Sequence, residues 1–354
     1  MIDVGACETV LIIGTGLIGT SMGLALKERG YQVYLQDETP SHALVASSLG
    51  AGSVDFCEKA DMVVVAVPPS HTATIVAEAL SAYPQATVID VASVKATILD
   101  ELIEKGIDLS RYVGTHPMAG SHHVGPLTAR ADLFEGCTWV VTAHIGAEVN
   151  RVDQVHALAQ ACRANVEPMD PSDHDMAVAA ISHVPQIVST LMAGNLVDVP
   201  KSYLKLAGQG VRDVTRIAGS DENLWTQIIT ANQGAIFTQL DKLASSLDEI
   251  RGNLDSEKAV ESFLAAGVTG AHGLPGKHGR LAEDYVHITV EIPDSPGALA
   301  RLFADIESAG ANVEDLSLSH DSLREVGFIS IAVEPENAES LAQEMVNAGW
   351  VLKP

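Results

Sequence analysis

Basic residues are scarce in this chain: 21 lysines and arginines stand against 46 aspartates and glutamates, and the formal charge over 354 residues is -25. So acidic a protein repels phosphate, which argues against nucleic acid or an anionic membrane as a partner. A local cationic pocket for a small anion remains compatible with it. Cysteine is scarce as well. Cys7, Cys57, Cys137 and Cys162 are scattered without C-x-x-C or other ligand spacing. Reduced thiols in a cytoplasmic protein are the simplest reading. No constellation has metal-ligand spacing, so no metal is expected. No apolar run reads as long enough to cross a bilayer. The N-terminus has no basic stretch before its apolar run, and glycines break that run, so no secretory signal is expected.

Apolar residues are plentiful, at 47%. That is enough to fill the two or three cores expected of this length. The first run, Val10-Leu11-Ile12-Ile13, reads as a buried parallel strand. Gly14-Thr15-Gly16-Leu17-Ile18-Gly19 follows at once and opens a helical pattern from Thr20 to Arg29. Gly14 permits the turn, Gly16 lets a pyrophosphate approach the backbone, and Gly19 lets helix and strand pack closely. The free N–H groups of the helix start, around Leu17 and Ile18, then face the phosphates. A second strand, Gln32 to Leu35, ends near Asp37, 18 positions beyond Gly19. A carboxylate there binds ribose hydroxyls and repels a 2′-phosphate, which favours NAD over NADP. Asp37 also fits a simple turn. Further strands are expected at 62–67, 87–91, 139–142 and 166–169, with a helix at 72–82. The result is a doubly wound sheet whose ligands lie at the carboxyl ends of its strands, where Pro68 and Ser93 fall.

Gly114-Thr115-His116-Pro117-Met118-Ala119-Gly120 places one histidine in a glycine-bounded loop. Histidine takes a proton near neutral pH, so a hydride acceptor beside it supplies what an alcohol oxidation needs. A histidine that merely closes a turn is the blander reading. From Pro171 the pattern turns helical. A long helix is expected over 173–196, kinked or restarted at Pro185. Arg212 and Arg216 stand four apart on one helix face, suited to a carboxylate or to a surface ion pair. Ser220-Asp221-Glu222 reads as a helix start and 232–247 as a further helix. Residues 267–279 read as a glycine-rich linker. Strands at 286–291, 312–319 and 327–333 and helices at 298–309 and 338–348, with an edge strand near 350–352, then give a β-α-β-β-α-β unit, ferredoxin-like in order.

Together these segments make the chain resemble the prephenate/arogenate dehydrogenases of tyrosine biosynthesis in the form that carries a C-terminal ACT domain. The motifs are the glycine loop, Asp90-Val91-Ala92-Ser93-Val94-Lys95, His116-Pro117-Met118-Ala119-Gly120, Ser182-His183-x-Pro185, Arg212-Asp213-x-Thr215-Arg216, and Asp294-Ser295-Pro296-Gly297. They occur in the family's order along nearly the whole chain. The resemblance implies a dinucleotide-binding domain over 1–170, an all-helical substrate and dimerisation domain over 171–266, a linker over 267–284 and an ACT domain over 285–354. It implies NAD-dependent oxidative decarboxylation of prephenate, with arogenate as the alternative substrate, by a cytoplasmic homodimer. His116 would assist deprotonation of the substrate hydroxyl and Ser93 would orient His116. Arg216 would hold a substrate carboxylate, with His183 and Arg212 in the same pocket. Gln186 stands where many prephenate-using members carry a second histidine, which leaves prephenate and arogenate both open. The ACT domain implies an amino-acid effector, tyrosine foremost, with Asp294 and Asn312 as candidate contacts. Two rivals are weighed against this. A β-hydroxyacid dehydrogenase would use a helix lysine, but Lys201 and Lys205 lack the surrounding motif. A non-catalytic NAD-binding regulator would have no need of Ser93 and His116.

Overall fold

The computed structural model describes residues 8–120, 125–274, 285–293, 295–321 and 326–353. The chain divides into two compact units, Met1–Ala244 and Ser245–Pro354. The first is built on β1 (Thr9–Ile13), α1 (Leu17–Glu28), β2 (Gln32–Gln36), α2 (Pro40–Ser48), β3 (Met62–Val65), α3 (Pro69–Ala82), β4 (Thr87–Asp90), α4 (Ala96–Glu104), β5 (Tyr112–Pro117), β6 (Thr138–Thr142), α5 (Val149–Ala161) and β7 (Asn165–Pro168). The strands form one sheet in the order β2-β1-β3-β4-β5-β6-β7. All neighbours are parallel except β5 and β6, which pair antiparallel.

The period-2 alternation of each strand feeds two apolar layers. Val10 and Ile12 face the layer holding Met22 and Leu26 of α1. Leu11 faces the opposite layer with Val76 and Leu80 of α3 and Leu102 of α4. Burial on both faces explains why β1 and β3 read as unbroken apolar runs. Because β2 and β3 flank β1 on opposite sides, the chain reverses its direction of winding there. The crevice at the carboxyl end of β1 is the natural ligand site of such a sheet.

Next come α6 (Pro171–Val178), a five-residue π-turn (Ala179–His183), α7 (Val184–Asn195), α8 (Lys201–Leu204), α9 (Gln209–Thr215), a 3₁₀ turn (Arg216–Gly219) and α10 (Glu222–Ala231). Then α11 (Gln233–Gly252) runs across the boundary between the units. The expected kink at Pro185 takes the form of this π-turn. Pro185 sits in the first turn of α7, and the helix widens ahead of it. A wider turn accommodates a ring that lacks an N–H and would otherwise crowd the carbonyl one turn back. One expectation is corrected here. The continuous stretch Pro171–Asn195 is long and apolar enough to cross a bilayer by length and composition alone. Its inner face nevertheless carries His174, Asp175, His183 and Gln186, all buried. Their bonds to the rest of this unit, given below, tie that face to the cofactor domain.

The second unit contains α12 (Glu257–His272), β8 (Val286–Pro293), α13 (Ala298–Ser308), β9 (Asp315–Asp321), β10 (Val326–Val333), α14 (Pro335–Asn347) and β11 (Val351–Lys353). Its strands form an antiparallel sheet in the order β11-β8-β10-β9. Ile288, Val290, Ile329 and Ile331 pack there against Leu302 and Ile306 of α13 and Leu341 and Met345 of α14. The linker expected from residue 267 is corrected: α12 continues to His272. Alanines around Gly267 and Gly270 favour the helix enough to carry two glycines, each costing only about 1 kcal/mol. Residues 275–284 lie outside the described residues, as does Asp294.

Candidate active site

The glycine loop lies at the carboxyl end of β1. Gly14 has φ +100° and an added Cβ would stand 2.3 Å from the Ala66 carbonyl oxygen. A Cβ on Gly19 would meet the Gly14 oxygen at 2.0 Å, while one on Gly16 would meet nothing within 4 Å. Gly14 and Gly19 therefore serve the fold, and Gly16 leaves open space at the start of α1. That space belongs to a cleft of about 790 Å³ lined by Gly14, Gly16, Leu17, Ile18, Asp37 and Pro68, and also by Ser93 and His116. Asp37 is fixed at the end of β2. Its Oδ2 accepts from Thr15 N at 2.7 Å and Thr15 Oγ1 at 2.8 Å, and its Oδ1 accepts from Thr39 N at 2.9 Å. Among the described lining residues there is no lysine or arginine. The open backbone at Gly16, the free helix start and a fixed carboxylate fit a dinucleotide with an unphosphorylated ribose.

The floor beneath His116 is a buried polar cluster. Asp90 ends β4 at 0% exposure, and Lys95 nearby is 1% exposed. They form an ion pair, and Lys95 Nζ also donates to the Thr115 carbonyl at 2.7 Å. Tyr112 Oη donates to Asp90 Oδ2 at 2.8 Å, and Ala92 N to Asp90 Oδ1 at 2.9 Å. Burial pushes the Tyr112 phenol well up, aided by the Asp90 charge. Burial also pulls the Lys95 ammonium below its ordinary value, against the opposing pull of Asp90. Glycine at position 114 leaves room for the Thr142 side chain, whose Oγ1 would stand 2.6 Å from a Cβ there. The last residues of β5 are thus held from beneath, and His116 is presented at the strand's end.

His116 Nδ1 lies 2.8 Å from His174 Nε2, and His174 Nδ1 lies 2.8 Å from Asp175 Oδ1. Asp175 also accepts from Lys95 N at 2.8 Å and Ala96 N at 2.9 Å. One carboxylate therefore caps the start of α4 and orients the histidine pair. Burial lowers the His116 pKa well below its ordinary value, reinforced by His174, Lys95 and His183. The ring is therefore neutral at pH 7, as a base requires.

Ser93 lines the same cleft, yet no hydrogen bond joins it to His116 among the described residues. His174 makes the contact that Ser93 was expected to make. Buried His183 accepts at Nδ1 from Asn232 Nδ2 at 3.0 Å, and that amide also donates to the Asp175 carbonyl at 2.8 Å. The second bond fixes the amide's orientation. Burial drops the His183 pKa to about 4, with Asp175 raising it and His174 lowering it. Gln186 is 5% exposed, and its Nε2 donates to the Ile217 carbonyl at 3.0 Å. It ties α7 to the 3₁₀ turn that bears Arg216. Arg212 and Arg216 are exposed and have no ion-pair partner among the described residues. Neither lines the cleft. Helix α10 closes one side of it through Leu224, Ile228 and its capping residue Asp221. His174, Asp175, Asn232 and the Asp90–Lys95 pairing were missed from sequence. The adjacent His174-Asp175 at a proline-led helix start was the available signal.

Residues 22–168 match the family model for the prephenate dehydrogenase nucleotide-binding domain, and residues 170–266 match that for the prephenate dehydrogenase dimerization domain. NovF of Streptomyces niveus, described as a probable prephenate dehydrogenase, is 35% identical, with 97% of this chain and 99% of NovF covered. Prephenate dehydrogenase of Bacillus subtilis is 26% identical over 96% of each chain. Among solved structures, prephenate dehydrogenase from Aquifex aeolicus, in complex with hydroxyphenyl propionate and NAD+, superimposes with a TM-score of 0.69 at 26% identity. It covers 75% of this chain and 98% of that one. Synechocystis arogenate dehydrogenase gives a TM-score of 0.64 at 26% identity, covering 74% and 98%. With both domain models matched in order over a cleft shaped for NAD, and a full-length relative at 35% identity, the chain belongs to the prephenate dehydrogenase family.

Proposed function

We propose that the chain catalyses the NAD-dependent oxidative decarboxylation of prephenate to 4-hydroxyphenylpyruvate, with His116 as the base on the ring hydroxyl. NAD, when bound, accepts the hydride. The observation that carries this reading is the disposition of His116. Its Nδ1 is engaged by His174 while the ring borders the cofactor cleft, so Nε2 is the nitrogen left for substrate. Ser93, on the same cleft, contacts the hydroxyl or the nicotinamide. Arg216 holds a substrate carboxylate with Arg212 beside it, since an exposed, unpaired guanidinium is suited to bidentate capture. His183 and Gln186 shape that pocket, the latter through its hold on the Arg216 turn. The domain layout is the cofactor domain 1–170, the helical domain 171–266 and the C-terminal domain from 285.

The test is steady-state kinetics of purified protein with NAD, following NADH from prephenate and from arogenate. Turnover of prephenate with the higher kcat/KM is expected. Turnover of neither, with NAD or NADP, would overturn the reading and favour a non-catalytic NAD-binding regulator. Arogenate is the second reading, favoured by Gln186 and by the likeness to the Synechocystis enzyme.

The enzyme works as a cytoplasmic homodimer in this reading. Exposed Leu191, Tyr203, Leu206 and Phe237 supply apolar surface for pairing. The C-terminal β-α-β-β-α-β unit serves as a ferredoxin-like ACT domain. A cavity of about 400 Å³ beside Ser295, Gly297 and Leu318 is offered for an amino-acid effector such as tyrosine. Asn312 does not line that cavity; its amide donates to Glu314 Oε1 at 2.5 Å. If excess tyrosine alters neither rate nor thermal stability, the effector role fails.

A further inference from the structure

We propose that His174, backed by Asp175, is a second proton station: the proton that His116 takes from the substrate hydroxyl is passed inward, held there through the chemistry, and returned to the product's oxygen. The inference rests on the reaction proposed above and assigns the residues that manage its proton.

The direction of each hydrogen bond follows from valence. Asp175 Oδ1 can only accept, and it already accepts from Lys95 N, so His174 Nδ1 carries a hydrogen and donates to it. A neutral His174 then has a bare Nε2. That nitrogen faces His116 Nδ1 at 2.8 Å, so His116 Nδ1 is the donor and His116 Nε2 is bare. The resting chain runs Asp175 carboxylate, His174 and His116, with one lone pair presented to the cleft. When His116 Nε2 takes the hydroxyl proton, the hydrogen on its Nδ1 can cross to His174 Nε2. His116 is neutral again, and the positive charge rests on His174 against the Asp175 carboxylate.

The balance of the reaction calls for such a site. As hydride leaves the ring carbon, the hydroxyl loses its proton and the carbonyl forms. The ring carboxylate then departs as CO2, its bonding pair enters the ring, and the oxygen becomes a phenolate that recovers the proton. No proton is released overall, so the base has no need of an outlet to water. His174 is 1% exposed and Asp175 5%, which is a closed holding place rather than a channel. The other charged or titratable groups facing the pair are Lys95, which repels a proton on His116, and His183. The Asp175 carboxylate alone favours charge on His174, so passing the proton inward places it on a ring with a counterion.

Two measurements test this. Nitrogen-15 NMR of histidine-labelled wild-type protein reads each tautomer without any substitution. Both His116 and His174 should be Nδ1–H with bare Nε2, and an Nε2–H form of either neutral ring overturns the proposal. The second is the solvent isotope effect on kcat as a function of deuterium fraction. The wild type should give a curved plot, two protons moving together. His174→Gln should give a straight plot with kcat down about tenfold or more and both KM values within about twofold. A straight wild-type plot, or a His174→Gln enzyme with unchanged kcat, overturns the relay. If His174→Gln fails to fold, the NMR result decides alone. The two hypotheses separate cleanly. Inactive His116→Asn with fully active His174→Gln leaves His116 as the base and removes the relay, whereas a wild type that turns over neither substrate removes the reaction itself.

Discussion

Replacing Lys95 by methionine isolates the buried ion pair under the catalytic strand. Lys95 and Asp90 are 1% and 0% exposed, and Lys95 Nζ also supports the Thr115 carbonyl next to His116. Methionine keeps most of the aliphatic volume, so the cavity contribution is small. What remains is a buried Asp90 carboxylate that retains donors from Tyr112 and Ala92 but has lost its counterion. Removing one partner of such a pair costs about 3–5 kcal/mol, and the two surviving donors place this case near the lower end. Adding Asp90→Asn should recover a large part of the loss, because no charge then stays buried. The same substitution acts on the chemistry. Lys95 is one of the groups holding the His116 imidazolium unfavourable, after burial and His174. Without it the His116 pKa rises, the inactive imidazolium forms at higher pH, and the acid limb of kcat/KM moves upward. Urea unfolding followed by tryptophan fluorescence and a pH–rate profile read the two effects. A stability loss under about 1 kcal/mol, or an acid limb that stays put or moves down, would refute the reasoning.

Three further outcomes are expected. Gly16→Ala should fold normally, since its Cβ meets nothing within 4 Å, yet raise KM for NAD about tenfold or more; Gly19→Ala, with a Cβ 2.0 Å from the Gly14 oxygen, should lower the melting temperature or fail to fold. Isothermal titration with NAD and thermal melting separate the pair, and equal behaviour of the two variants would contradict the division of roles. Arg216→Ala should raise KM for substrate with kcat largely kept, whereas an unchanged KM would remove Arg216 from the carboxylate site. His183 should titrate near pH 4 by NMR, its pKa held down by burial. Because the folded value lies below the unfolded one, the unfolded chain takes up that proton first. The stability owed to neutral His183 is complete above about pH 6.5 and is lost as pH falls toward 4. A measured midpoint above 6 would contradict the buried placement.

What was legible in the sequence was mostly backbone chemistry. A positive φ, an oxygen 2.0 Å from a would-be Cβ and a free helix start each demand a residue type at a fixed local spacing, so the glycine loop declared itself. Strands β1 and β3 did so as well, because burial on both faces writes an unbroken apolar run. His116 was visible as a lone histidine between glycines, but its partner was not. His116 and His174 are 58 positions apart, and they meet only because α6 docks on the carboxyl edge of the sheet. Asp175 is harder still to read, since two of its three donors are the backbone N–H groups of Lys95 and Ala96, which carry no side-chain signature. The glycines at 267 and 270 misled for the converse reason: each has a strong local preference that the surrounding helix-forming alanines override. A polar group whose satisfaction is local can be found by spacing. One satisfied across a packed interface can be found only by asking, for every buried donor and acceptor in turn, where its partner is. That accounting leads from the capped start of α4 to Asp175, and from Asp175 through His174 to the base.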